Sequence, residues 1–225
     1  MSKKIYLSPS NQDGNLYAYG NTNECDQCNK IANAAKVALE RCGFTVKKAP
    51  KGQNMSVSIN ESNSWGADLH IPIHTNAGGG NGTVVFVYST TESNMELALP
   101  IYDNVQSVTP GTTNYGVRSM PELAELNSTN AIAVYIEVDF HDVRDIAKWL
   151  IENPETVGEA IAKGVCKGYG VKYVPQSSPT PIPSKSDVFY RVQVGAYSEK
   201  KNAEELLSKL NSAGFDKAFI VEVKK

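Results

Sequence analysis

The 225-residue chain has no excess of basic side chains: 22 Lys and Arg stand against 24 Asp and Glu, for a formal charge of -2. Phosphate backbones are bound by clustered positive charge, so nucleic acid is excluded as the expected partner. Long hydrophobic runs are also missing. The longest, such as Ala131 to Ile136, fall far short of the roughly 20 apolar residues that cross a bilayer, and no membrane association is expected. Met-Ser-Lys-Lys at the start carries leader-like charges, but Ile5, Tyr6 and Leu7 run straight into Ser8-Pro9-Ser10 without an apolar stretch of about 7 to 15 residues. The expectation is cytoplasmic synthesis without a signal peptide. Cysteine is scarce: Cys25, Cys28, Cys42 and Cys166 are too few for a disulfide scaffold at this length. Cys25-Asp-Gln-Cys28 has the spacing of a redox or metal pair, but it does not directly follow a strand and has no second pair to complete it.

What is present is a hydrophobic fraction of 41%, enough for a sizeable core. Four prolines between Val174 and Asp187 remove backbone donors and favour extended backbone, which marks a linker at 174–187 between residues 1–173 and 188–225. In the first unit, strand patterns at Lys4–Ser8, Phe44–Lys48, Asp68–His74, Thr83–Tyr88 and Ala133–Val138 alternate with helical ones. The helices are expected at Glu24–Arg41, near Asn94–Val108, and over Val143–Tyr169 with a break at Pro154. The alternation predicts an α/β domain, its mostly parallel sheet covered by helices on both faces, with ligands at the carboxyl ends of the strands. Residues 188–225 predict a small βαβ module, with strand alternation around Tyr190, Val192 and Val194, a helix stripe through Ala203, Leu206, Leu207 and Leu210, and a closing strand at Ala218–Val223. So short a unit has little core and two open strand edges, so pairing with a second copy is expected.

Only three histidines exist. His74 ends an apolar strand just before Gly78-Gly79-Gly80, a position from which a side chain can enter a cleft; His70 shares its strand face but lies roughly 13 Å away. Glu24 opens the first long helix, and Glu137 ends the apolar run Ala133-Val134-Tyr135-Ile136, where a charge needs a partner or a task. Each has an ordinary reading, as a backbone-bonded ring or a cap. Together, one His and two Glu at a single sheet edge suggest a zinc hydrolase centre.

Ile5-Tyr6-Leu7-Ser8-Pro9-Ser10, Asn23-Glu24, Ile73-His74-Thr75-Asn76-Ala77 and Tyr135-Ile136-Glu137-Val138-Asp139-Phe140-His141-Asp142 occur in that order. Through them the chain resembles the zinc-dependent N-acetylmuramoyl-L-alanine amidases of the cell-wall hydrolase and phage endolysin type. Tyr190-Arg191-Val192-Gln193-Val194-Gly195-Ala196-Tyr197 with Asn202-Ala203 resembles half of a glycan-binding SPOR domain. The resemblance implies hydrolysis of the amide between N-acetylmuramic acid and L-alanine in bacterial peptidoglycan, with cytolysis after release from the cell. It also implies Zn2+ on Glu24 and His74 and catalysis by Glu137. A third ligand, normally His, falls at Asn11 with Gln12 beside it; His141 and Cys28 are the other substitutes. Arg118 and Asn76, and Gln193 in the tail, are the expected substrate contacts. The competing expectation is a non-catalytic peptidoglycan-binding protein with a degenerate metal site, since a neutral amide is a weaker zinc ligand than imidazole. A zinc deacetylase or peptidase acting on the same polymer would use similar groups.

Overall fold

The computed structural model describes residues 2–176, 192–215 and 218–222. The chain divides into Met1–Gln176 and Ser177–Lys225. The first unit holds a six-stranded sheet in the order β2-β1-β3-β6-β4-β5, formed by β1 (Lys4–Pro9), β2 (Thr45–Lys48), β3 (Leu69–Asn76), β4 (Val84–Val87), β5 (Val117–Ser119) and β6 (Ile132–Phe140). Every neighbouring pair is parallel except β4 on β6. The register of β3 on β6 shifts between His74 and Asn76.

Strand alternation sorts side chains onto two unlike faces. Ile5, Leu7, Ile71, Ile73, Val134, Ile136 and Val138 are fully buried in the main apolar core. Helices α1 (Glu24–Arg41), α3 (Glu92–Gln106), α5 (Arg144–Glu152) and α6 (Pro154–Gly168) pack their apolar sides into the same core. Gly158 and Gly164 let α6 come close to its neighbours: a Cβ on Gly164 would stand 2.4 Å from Ile101 Cα, and one on Gly158 2.5 Å from Ala34 Cβ. The opposite face is polar, with Tyr6, Ser8, His70, His74, Tyr135 and Glu137, and the short helices α2 (Met55–Trp65) and α4 (Ala124–Asn127) flank it.

Local chemistry explains several helix ends. Asn23 caps α1 by accepting from Asp26 N at 2.8 Å, and Glu24 and Asp26 place negative charge in its first turn, where the helix dipole favours it. Gly66, at φ 70°, closes α2 in the left-handed conformation. Pro154 occupies the first turn of α6, and the helical stretch breaks there into α5 and α6 as expected. Helix α2, with Met55 and Val57 exposed, and the short α4 and β5 were not expected from the sequence.

In the second unit the expected helix is present as α7 (Lys200–Ser212). Among the described residues neither expected flanking strand is seen, 192–197 and 218–222 carrying none. Tyr190 and most of the expected linker lie outside the described residues. All four cysteines are free and buried.

Candidate functional site

His74 and Glu137 arrive at the site on adjacent parallel strands, as direct register partners. Glu24 arrives from the first residue of α1, which the Leu16–Asn23 bridge and the Glu24 N to Asn15 O bond (2.9 Å) hold against the preceding loop. Glu24 Oε1 lies 2.8 Å from His74 Nδ1. Gln12 brings its side-chain amide to the same nitrogen, with Nε2 at 3.4 Å. Asn15 Nδ2 donates to Gln12 Oε1 and to Glu24 Oε2, both at 2.7 Å, and so ties the carboxylate to the amide. Tyr135 stacks on the His74 ring at 4.5 Å between centroids.

The electrostatics are those of a tight charge cluster. Burial alone would lower the His74 pKa, but the Glu125 and Glu24 carboxylates and the charge of Glu137 override it, and the ring is raised to about 9. Burial works against ionising Glu24 as well, yet its bonds from His74 and Asn15 hold it below the usual carboxylate range. Glu137 differs. Burial raises it to about 7, Glu24 adding to the effect and His74 opposing it. Its Oε2 is sealed from solvent and makes no hydrogen bond. A buried unpartnered carboxylate oxygen costs stability unless a ligand completes it.

A cavity of about 390 Å3 opens here, with Ser10, Asn11, Gln12, His74, Glu125 and Tyr135 in its lining. Among the described residues no three His, Cys, Asp or Glu side chains group as a metal centre. The third side chain at the Glu24–His74 pair is the amide of Gln12. One carboxylate, one imidazole and one amide oxygen, the last presented by a half-turn of the Gln12 amide, make a donor set that fits a divalent cation, the amide being a weaker zinc donor than an imidazole.

The other expected residues are dispersed. His141 does not join the cluster: its Nδ1 faces Thr75 O at 2.9 Å and Thr75 Oγ1 at 3.0 Å, and its ring stacks on Tyr17. Asn11 lies on the cavity rim, exposed. Cys28 is fully buried in the main core. Asn76 ends β3, where its Oδ1 accepts from Ala77 N and its carbonyl from His141 N. Arg118 is not brought to the cavity. It sits on β5, an edge strand, with Nε donating to Tyr115 O and its guanidinium over the Tyr115 ring. Gln193 is exposed in the second unit.

One residue of the site was not anticipated. Glu125, on the single turn of α4, is 4% exposed and lines the cavity. Its Oε1 accepts from Ser8 Oγ and meets His70 Nε2 at 3.2 Å, while its Oε2 stands 3.8 Å from His74 Nε2. Burial would raise its pKa, but bonds from His70, His74 and Ser8 outweigh that and hold it at about 2. The only sequence signal was a charge set between Ala124 and Leu126.

Comparison with known proteins gives two family matches. The N-acetylmuramoyl-L-alanine amidase model matches residues 9–167, and the SPOR domain model matches residues 172–225. The sporulation-specific N-acetylmuramoyl-L-alanine amidase of Bacillus subtilis (strain 168) is 26% identical over 239 residues, covering 97% of this chain and 85% of that protein. The catalytic domain of the amidase CwlV from Bacillus (Paenibacillus) polymyxa var. colistinus superposes with a TM-score of 0.68 at 17% identity, over 76% of this chain and 99% of that one. The catalytic domain of the CD27L endolysin, which targets Clostridia difficile, gives 0.61 at 25% identity, over 72% and 96%.

Proposed function

The chain belongs to the N-acetylmuramoyl-L-alanine amidases, enzymes that hydrolyse peptidoglycan, and on that premise we propose that Glu24, His74 and Gln12 hold a zinc ion beside Glu137. The observation that carries the reading is the buried Oε2 of Glu137, unpartnered next to a carboxylate–imidazole–amide cluster that fits a divalent cation. Zinc bound there supplies Lewis acidity, polarising the lactyl-amide carbonyl and making a water molecule more acidic.

The protein's own groups do the rest. Glu137 takes the proton of the attacking water and returns it to the departing L-alanine nitrogen. Asn15 holds Glu24 in place by donating to its Oε2. Tyr135 keeps the His74 ring in plane and walls it from solvent. Residues 1–173 perform this chemistry, 174–187 are the linker, and 188–225 bind glycan, Gln193 offering a contact. Asn76 and Arg118 are retained as contacts for the stem peptide beyond the cavity.

The cell wall is the working site, reached after release from the cell that makes the chain. The relatives, one a sporulation-specific amidase and one an endolysin, support that reading. Among the described residues no helix is long and apolar enough to cross a membrane. Pairing of two chains through the second unit is supported by the exposure of Val192, Val194, Phe215 and Phe219. Sedimentation of the full chain at the monomer mass would overturn it.

The test of the activity is mass spectrometry of fragments released from purified peptidoglycan, with and without a chelator and added zinc. Free stem peptides with new L-alanine amino termini, lost on chelation, are expected. The Gln12 amide gives specific ground for a second reading, a peptidoglycan-binding protein with a degenerate metal site. Wall left intact at every zinc concentration would favour it.

A further inference from the structure

His74 stands between two carboxylates, one at each ring nitrogen: Glu24 Oε1 at 2.8 Å from Nδ1 and Glu125 Oε2 at 3.8 Å from Nε2. A half-turn of the ring about Cβ–Cγ would offer carbon to both, so the pair fixes the rotamer. The proton is a separate matter. If Glu24 is engaged with a cation, it cannot also accept a proton from Nδ1, and only Glu125 remains to choose which nitrogen carries one.

We propose that Glu125 is a positioning residue, which faces the Nε2–H of His74 as its acceptor, keeps the proton on that nitrogen and thereby presents the Nδ1 lone pair to the position between Glu24 and Gln12. The inference rests on the zinc reading given above. Metal-binding imidazoles generally donate their second N–H to a carboxylate or carbonyl, which fixes the tautomer and raises ligand basicity.

Glu125 is built for that task. Ser8 on β1 and His70 on β3 both engage Oε1, so the carboxylate is anchored from two strands and Oε2 is left facing His74. His70 is four residues before His74 on the same face of β3, and one carboxylate spans the pair. A structural clasp for Ser8 and His70 needs only an acceptor oxygen, which a glutamine supplies equally well. What a glutamine lacks is a second acceptor for His74.

That difference makes Glu125→Gln the test. The variant keeps the volume and the Oε1 acceptor but turns an NH2 donor toward Nε2, favouring the His74 tautomer whose proton occupies the metal position. Zinc affinity measured by chelator competition is expected to fall about 10- to 100-fold. Two-bond 1H–15N spectra, simple to assign with three histidines, are expected to show a slowly exchanging His74 Nε2 proton in the metal-free wild type and none in the metal-free variant. Unchanged zinc affinity together with an unchanged His74 tautomer would overturn the proposal. If Glu125→Gln fails to fold, Glu125→Asp, which keeps the charge but withdraws it from His74, must still weaken zinc, and wild-type affinity in that variant would overturn the proposal equally. If the wild type binds no zinc, the zinc reading fails by itself. The metal-free spectra still judge Glu125: a slowly exchanging Nε2 proton lost in Glu125→Gln supports the proposal, and its persistence refutes it.

Discussion

His74 and Glu137 are cross-strand partners, set side by side on the polar face of the sheet by the parallel register of β3 on β6. Backbone pairing, rather than loop conformation, therefore fixes the spacing between the imidazole and the acid. Sites carried on strands hold their geometry more tightly than sites carried on loops.

Glu137→Gln should abolish wall hydrolysis and leave wall binding intact. Loss of a general acid–base of this kind costs about a hundred- to ten-thousand-fold in rate. Release of soluble fragments and co-sedimentation with purified wall, measured side by side, separate the two properties; equal hydrolysis by the variant would remove Glu137 from the chemistry.

Gln12→His replaces a neutral amide with an imidazole at the Glu24–His74 pair. Zinc binds imidazole nitrogen better than amide oxygen, so calorimetric zinc titration should show tighter binding than in the wild type. Unchanged affinity would mean that position 12 does not reach the metal.

Gly164→Ala should destabilise the first unit. Its new Cβ meets Ile101 Cα at 2.4 Å, backbone that can give way only by separating α6 from α3. Overpacking of this sort costs about 1–3 kcal/mol. Thermal melts of the variant and of Gly170→Ala, at a position with no heavy atom within 4 Å but with φ +63°, separate crowding from backbone strain.

The acid limb of stability should respond to Glu61. The hydroxyl of Tyr6 donates to Glu61 Oε2 at 2.7 Å, and this bond, with Gln53 assisting, holds the carboxyl below its ordinary value of 4.5. A lowered folded pKa contributes stability that is present above the unfolded value and lost as pH falls through the folded one. Glu61→Gln should therefore flatten the loss of stability below about pH 4.5. The effect is small, because the side chain is one-third exposed and screened by solvent. Urea melts from pH 3 to pH 7 on both proteins would check it, and parallel curves would refute it.

Legibility in the sequence followed periodicity. Helix α1 matches its expected bounds because a cap, an apolar stripe and Gly43 all agreed. Strands β1, β3 and β6 were readable from apolar runs, and His74, Glu24 and Glu137 stood out as charges or rings at their ends. Helix α2 escaped because burying Ser58, Ile59 and Ser62 leaves no apolar stripe. Glu125 escaped because one turn of helix is too short for any period. That Gln12 meets the His74 ring while His141 turns to Thr75 depended on the Ser10–Asn15 loop and on contacts that close only in three dimensions.

The register shift between His74 and Asn76 sets the limits within which this fold can vary. His74 faces the cavity, whereas Thr75 turns to Tyr17 and His141 on the packed side. Strand side chains alternate, so a slip of one residue exchanges the two faces. Substitution at the cavity wall, as at Gln12, changes one donor and leaves the frame in place. Insertion or deletion inside β3 would carry Ile73 or Thr75 to the place of the imidazole and strand Glu24, Glu125 and Glu137 together, three carboxylates crowded around no positive charge.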